Sequence, residues 1–426
     1  MTPHTTNRTL TVATDRHLVR SRWHSQRFIV ARISAPETRT GLDRPPANLA
    51  FVLDRSGSMD GQKLRLAAQA VEEGIGRLQP TDRFSIVMYD REIDVLVPGS
   101  LATPAVCRDA VERLHQVAAR GSTNLGNGWL AGCEQVATAL IPDGVNRILL
   151  LTDGLANEGI TDAAELARHA SELRARGVST STFGVGNDFD EVLLQGMAQA
   201  GGGHFYDIAG AAAIRDHISS EVGDALTVVA RDVALQVVMP DGVRIESLGA
   251  FPEVTGGGRT RIELGDLVAG QEVEVPLRLY FPLGPIGDAI PAVLSLADRD
   301  GVLADATGRL AWEFADDAAN NTQPRDHEVD RVIARVFVAR ARREAVRLNR
   351  AGDFTAARGA LEATARRIKG YAGRDPELRE IVMELMGEVE TFRHAMPERQ
   401  RKEAYAASAY AMQSRAPDGA ARTARP

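Results

Sequence analysis

Between residues 48 and 226 the chain alternates short apolar runs with longer stretches in which apolar residues recur every three or four positions. The runs at 49–53, 84–89, 93–97, 147–151, 178–185 and 204–208 read as strands. The stretch 63–78 places Leu64, Ala67, Val71, Ile75 and Leu78 on one helical face. Further helices are expected over 104–117, 126–140, 162–176, 191–200 and 211–226. Pro104 stands near a helix start, where its missing N–H costs little. Asp162 is an expected N-cap and Gly177 an expected stop. Such alternation predicts a mostly parallel sheet covered on both faces, with any ligand crevice at the carboxyl ends of its strands.

The pattern changes at 227–315. Strand-like runs at 232–238, 243–248, 260–264, 273–281, 292–297 and 309–314 follow one another with no long helix between them. Asp241-Gly242 and Asp300-Gly301 are hairpin-type dipeptides. An antiparallel β-sandwich is the expected result. Residues 8–47 hold two further runs, at 9–13 and 27–33, too few for a domain, so they are expected to pair with the sandwich. Residues 316–325 read as a polar linker, and 326–414 as helices with breaks at Gly352 and Gly373. The helix pair around Gly352 has a weak likeness to a tetratricopeptide hairpin, and one hairpin is too few for a solenoid. Residues 1–7 and 415–426 are expected to be disordered. The fold class expected is an α/β doubly wound, Rossmann-like domain over 48–226, inserted in or followed by the sandwich, with a C-terminal α-helical segment.

Composition narrows the function. A chain of 426 residues with 44% hydrophobic content can fill more than one core, and 5% aromatics means cores of Leu, Val, Ile and Ala. Cys107 and Cys133 fall in helix-like segments and read as buried thiols, neither a disulfide framework nor a zinc site. No apolar run reaches the length of a membrane span, the first residues lack a signal-peptide pattern, and a cytoplasmic location is expected. Net charge is −7, but residues 325–426 carry 21 Lys and Arg against 15 Asp and Glu. That basic segment suits an acidic partner, nucleic acid or a solvated helix surface.

The candidate chemistry lies where apolar runs end. Asp54, Ser56 and Ser58 alternate after the first run, Thr123 lies in Gly121-Ser122-Thr123-Asn124, and Asp153 follows Thr152 at the end of another run. Two carboxylates and three hydroxyls are hard oxygen donors, which suit Mg²⁺, Mn²⁺ or Ca²⁺. Asn124 and Asn157 are read as loop residues with no metal role. Asp298-Arg299-Asp300-Gly301 lacks the later ligands of a calcium loop and reads as a turn. No His-Glu-x-x-His, Gly-x-Ser-x-Gly or phosphate-loop motif is present.

The combination of Asp-x-Ser-x-Ser, the Gly-Ser-Thr-Asn loop and the strand ending Thr-Asp-Gly resembles the von Willebrand factor A domain. All five positions of that family's metal-ion-dependent adhesion site have matching residues: Asp54, Ser56, Ser58, Thr123 and Asp153. The pairing of such a domain with a β domain is similar to inter-alpha-trypsin-inhibitor heavy chains and to bacterial calcium-activated chloride-channel-like proteins. The resemblance implies bound Mg²⁺, with Mn²⁺ or Ca²⁺ as alternatives, and an open coordination position filled by an Asp or Glu of a protein partner. It also implies an adaptor role beside AAA+ ATPases, kinases or phosphatases. A non-enzymatic binding module is therefore the first expectation. Self-assembly or nucleic-acid binding through the basic helices is the second, and metal-assisted hydrolysis the third.

Overall fold

The computed structural model describes residues 9–38 and 44–423, so the disorder expected at 1–7 and 424–426 lies outside the described residues. Three strands open the chain: β1 (Leu10–Thr14), β2 (Leu18–Arg20) and β3 (Ser25–Ser34). Then come β4 (Ala47–Asp54), α1 (Gln62–Gly76), β5 (Arg83–Tyr89), β6 (Ile93–Leu101), α2 (Pro104–Leu114) and α3 (Leu125–Thr138). They are followed by β7 (Val145–Thr152), α4 (Ala163–Ala175), β8 (Val178–Val185), α5 (Glu191–Ala200), β9 (Gly202–Ile208) and α6 (Ile214–Leu226). Strands β4 to β9 form one sheet in the order β6-β5-β4-β7-β8-β9, parallel throughout except that β6 runs antiparallel to β5. Every residue of β4 and β7 is buried, as strands covered on both faces must be. Glycine allows the close packing of α3. A Cβ at Gly132 would stand 2.3 Å from Val52, and one at Gly128 would stand 2.5 Å from the Tyr89 ring.

From residue 228 the chain continues as β10 (Val228–Val238), β11 (Arg244–Ser247), β12 (Glu253–Gly256), β13 (Arg259–Val268), β14 (Glu272–Phe281), β15 (Ala289–Ala297) and β16 (Thr307–Ala315). These join the N-terminal strands in two sheets, β1-β3-β14-β11 and β12-β13-β10-β15-β16-β2. Trp312 of β16 packs on Phe281 of β14 and donates its indole N–H to Thr14 of β1, so the sheets share one core. The pairs β1–β3, β3–β14, β11–β14, β12–β13, β10–β15 and β15–β16 are antiparallel, and β2 runs parallel to β16. The helices are α7 (Asp317–Thr322), α8 (His327–Arg350), α9 (Phe354–Ala372), α10 (Pro376–Glu388) and α11 (Glu398–Met412). One face of α8 joins α9, α10 and α11 in an apolar core, and Val332, Ile333, Val336 and Phe337 pack with Val30 of β3.

Contacts divide the described chain into two compact units: residues 44–229 with 418–420, and residues 9–38, 230–417 and 421–423. Cys107 is half-buried and not the buried thiol expected, and three further expectations need correction. Residues 316–325 are not an open linker. Helix α7 occupies most of them, and buried Asn320 donates to the carbonyls of Val19, Ala315 and Asp316 while accepting from Arg27. The expected disorder beyond Arg415 does not extend over 415–423. The Glu272 N–H donates to the Arg422 carbonyl at 2.7 Å, and bridges join Gln271 to Thr423 and Arg415 to Ala421, because β14 has backbone groups to satisfy there. Asp241-Gly242 makes a turn, with Gly242 at φ 90°, but it leads from one sheet to the other and closes no hairpin. Asp298, by contrast, accepts from the N–H groups of Asp300, Val302 and Leu303, as an ordinary turn does.

Candidate metal centre

The sheet order decides where a ligand can bind. From β4 the chain goes to β5 and β6 on one side, and β7, β8 and β9 lie on the other. The crevice beyond the carboxyl ends of β4 and β7 is therefore a topological switch point. Leu53 pairs with Leu151, so Asp54 closes β4 beside Thr152, the last residue of β7, and Asp153 is next.

The loops beyond the strands are tied together by backbone bonds. After Asp54 the chain makes a 3₁₀ turn at Gly57–Met59, anchored by fully buried Met59. The Arg55 N–H donates to the Tyr89 carbonyl at 2.8 Å, and its own carbonyl accepts from Arg120 at 2.8 Å. The Gly57 N–H donates to Gly121 at 3.2 Å. The Arg55 side chain pairs with Asp90 and Asp94, and Arg120 pairs with both as well. Gly121 has φ +72°, and a Cβ there would press against Asp90 at 3.3 Å. Thr123 is held by Asn157, whose side-chain oxygen accepts from the Thr123 N–H at 3.2 Å while the Asn157 N–H donates back to the Thr123 carbonyl at 3.3 Å. Asn124 caps α3. Both asparagines therefore organise the loop that carries Thr123.

These constraints bring the sequence candidates together. Asp54 accepts from the Ser56 N–H at 2.7 Å through one oxygen and from the Thr152 hydroxyl at 2.7 Å through the other. The Ser56 and Ser58 hydroxyls are 3.1 Å apart, and Ser58 donates to Asp153 at 2.6 Å. Asp54, Ser56, Thr123 and Asp153 are buried, and Ser58 is exposed at the mouth. Burial pushes the Asp54 carboxyl up to about 6, against the hydrogen bonds from Ser56 and Thr152 and with the Asp153 charge adding to the rise.

The donor set fits a divalent cation. Its oxygens are hard, and two carboxylates balance a double positive charge. Gly154 keeps the space clear: a Cβ there would stand 3.2 Å from the Thr123 hydroxyl and 4.0 Å from that of Ser58. Two residues at the site were not singled out from the sequence. Thr152 orients Asp54, and its signal was its place at the end of β7. Lys63, in the first turn of α1, reaches back to Asp153 and to the Ser58 carbonyl. A second grouping among the described residues, His204, Glu221 and Asp224, has a different character. The Glu221 carboxylate accepts from Arg147, Ser181 and Tyr206 and lies 2.9 Å from His204 Nδ1, a buried network closed around a guanidinium.

The family model of the von Willebrand factor type A domain matches residues 48–219. The chain is 29% identical over 300 residues to the protein YfbK of Escherichia coli (strain K12), covering 68% of this chain and 51% of YfbK. It is 29% identical over 182 residues to inter-alpha-trypsin inhibitor heavy chain H1 of Mesocricetus auratus, covering 41% of this chain and 19% of that protein. The chain thus spans about half the length of one curated relative and a fifth of the other. Its fold is similar to a solved von Willebrand factor type A protein from Catenulispora acidiphila, with a TM-score of 0.71 at 18% identity, covering 98% of this chain and 97% of that one. It is also similar to the ArnB paralog VWA2 of Sulfolobus acidocaldarius, with a TM-score of 0.61 at 17% identity, covering 95% and 97%. Residues 48–219 are a von Willebrand factor type A domain, in a chain that also contains a β-sandwich and C-terminal helices.

Proposed function

We infer that this protein is a non-enzymatic, metal-dependent binding module whose Mg²⁺ site grips an Asp or Glu of a protein partner. The reading rests on one observation above the others. Three loops that are distant in sequence bring Asp54, Ser56, Ser58, Thr123 and Asp153 to one switch point, with Gly154 leaving the space between the hydroxyls clear. The family supports it, since von Willebrand factor type A domains typically mediate protein–protein interaction and often bind a divalent metal. When bound, the cation supplies a Lewis-acidic position for a carboxylate oxygen. This chain's residues do the rest. Thr152 and the Ser56 N–H fix the Asp54 oxygens, Asn157 fixes Thr123, and Ser58 stands exposed where a partner arrives.

A binding role is favoured over hydrolysis because, among the described residues, no imidazole is bonded to the Ser56 or Ser58 hydroxyl. Nucleic-acid binding by the basic helices has less support. Arg331, Arg335, Arg342, Arg347 and Arg350 are paired with Asp375, Glu377, Glu388, Glu344 and Glu398. A pull-down from native extract with Mg²⁺ or EDTA, using the wild-type chain and Asp54→Ala, tests the proposal. A partner retained only by wild type with Mg²⁺ is the expected result. Partners indifferent to both treatments would overturn it.

A further inference from the structure

Lys63 is the second residue of α1, in a first turn that has no acidic side chain. A cation there opposes the helix dipole, so the helix itself does not explain its placement. Its side chain turns back into the crevice instead. The ammonium pairs with the Asp153 oxygen that Ser58 leaves free, and it donates to the Ser58 carbonyl at 3.2 Å. Both oxygens of Asp153 are therefore engaged, one by a hydroxyl and one by an ammonium. A divalent cation taking either oxygen meets one of these two groups there, and the positive charge of the ammonium opposes it.

The charges favour displacement of the lysine. Asp54 and Asp153 are almost fully buried, and among the described residues Lys63 is the cation bonded to either of them. Its side chain is 30% exposed, on a flexible four-carbon stem with solvent at hand. We propose that Lys63 is the site's built-in counter-cation, neutralising Asp153 in the metal-free protein and setting metal affinity by competing for that carboxylate. This rests on the metal-binding reading above and adds a regulatory residue to it. With the ammonium retained at the rim, two carboxylates, a divalent ion and Lys63 sum to a net positive site, which draws an anionic ligand. Without Lys63 the loaded site is neutral.

The test measures Mn²⁺ binding to the full chain by electron paramagnetic resonance of the free ion. It uses wild type, Lys63→Met, Lys63→Gln, Arg65→Met and Asp54→Asn. Arg65 is exposed in the same helical turn and serves as a charge control. Lys63→Met and Lys63→Gln should bind Mn²⁺ roughly fivefold more tightly than wild type, the scale of a partly exposed ion pair, while Arg65→Met stays at the wild-type value. Thermal unfolding gives a second readout. The Lys63 variants should melt lower than wild type without metal and level with it in saturating Mg²⁺. Unchanged or weaker binding by the Lys63 variants, or equal tightening in Arg65→Met, would overturn the proposal while metal binding by wild type and its loss in Asp54→Asn leave the site reading standing. Absence of binding by every protein would overturn the site reading, and this proposal with it.

Discussion

Ser58 donates its hydroxyl to Asp153 at 2.6 Å across 95 positions of sequence. The bond joins the loop after β4 to the loop after β7 and makes one site from two strand ends. Ser58 is exposed, so Ser58→Ala removes a proposed ligand and a tie without opening a core. We expect unfolding free energy to change by less than about 1 kcal/mol while Mg²⁺-dependent partner capture is lost. Chemical denaturation and the Mg²⁺/EDTA pull-down check the two halves separately.

Thr152 acts through Asp54. Its hydroxyl donates to the carboxylate at 2.7 Å, and both groups are buried. Thr152→Val keeps the shape of the side chain and removes the donor. Metal affinity should fall roughly tenfold, as for the loss of an outer ligand-orienting bond. Calorimetric Mg²⁺ titration of the variant measures it, and unchanged affinity would show that Asp54 needs no such support.

Arg147 lies near the start of β7, the end opposite Asp153, and its pair with Glu221 is fully buried, with nitrogen and oxygen 2.8 Å apart. Arg147→Met strands the Glu221 charge among Ser181, Tyr206 and His204. The expected loss is about 3–5 kcal/mol of stability, seen in urea unfolding. The double variant with Glu221→Gln should recover part of that loss, because the uncompensated charge is gone.

Asp375 caps α10, accepting from the Leu378 N–H at 2.9 Å, and pairs with Arg331 at 2.7 Å. The Arg331 hydrogen bond, with that from Leu378, lowers its carboxyl to about 2. The folded value lies below the unfolded one, so the stabilisation is complete above about pH 4 and disappears as pH falls through 2. Asp375→Ala should cost about 1 kcal/mol or more near neutral pH. The gap to wild type should narrow as pH falls from about 4 to about 2, and a gap undiminished at pH 2 would contradict the assignment.

Much of the architecture was legible because the relevant physics is local. The spacing of Leu64, Ala67, Val71 and Ile75 marks α1, and wholly apolar runs mark β4 and β7. Asp54, Ser56, Ser58, Thr123 and Asp153 could be grouped from sequence because each lies at a strand end or just before a helix. What escaped depends on distant partners. Asn320 looked like linker because its value lies in carbonyls of Val19 and Ala315 that only the fold supplies. The tail from Arg415 looked disordered because the edge of β14 that it meets is far away in sequence. Strand β2 is three residues long and pairs only with distant β16. Lys63 lay on the polar side of an amphipathic helix, and its contact with Asp153 was not encoded by any spacing.

The central claim is that Asp54, Ser56, Ser58, Thr123 and Asp153 hold a divalent cation. Calorimetric titration of the metal-free chain with Mg²⁺, beside Asp54→Ala, tests it most directly. One binding site in wild type and none in a folded Asp54→Ala protein is the predicted result. Equal binding in both proteins, or no binding in wild type, would contradict the account.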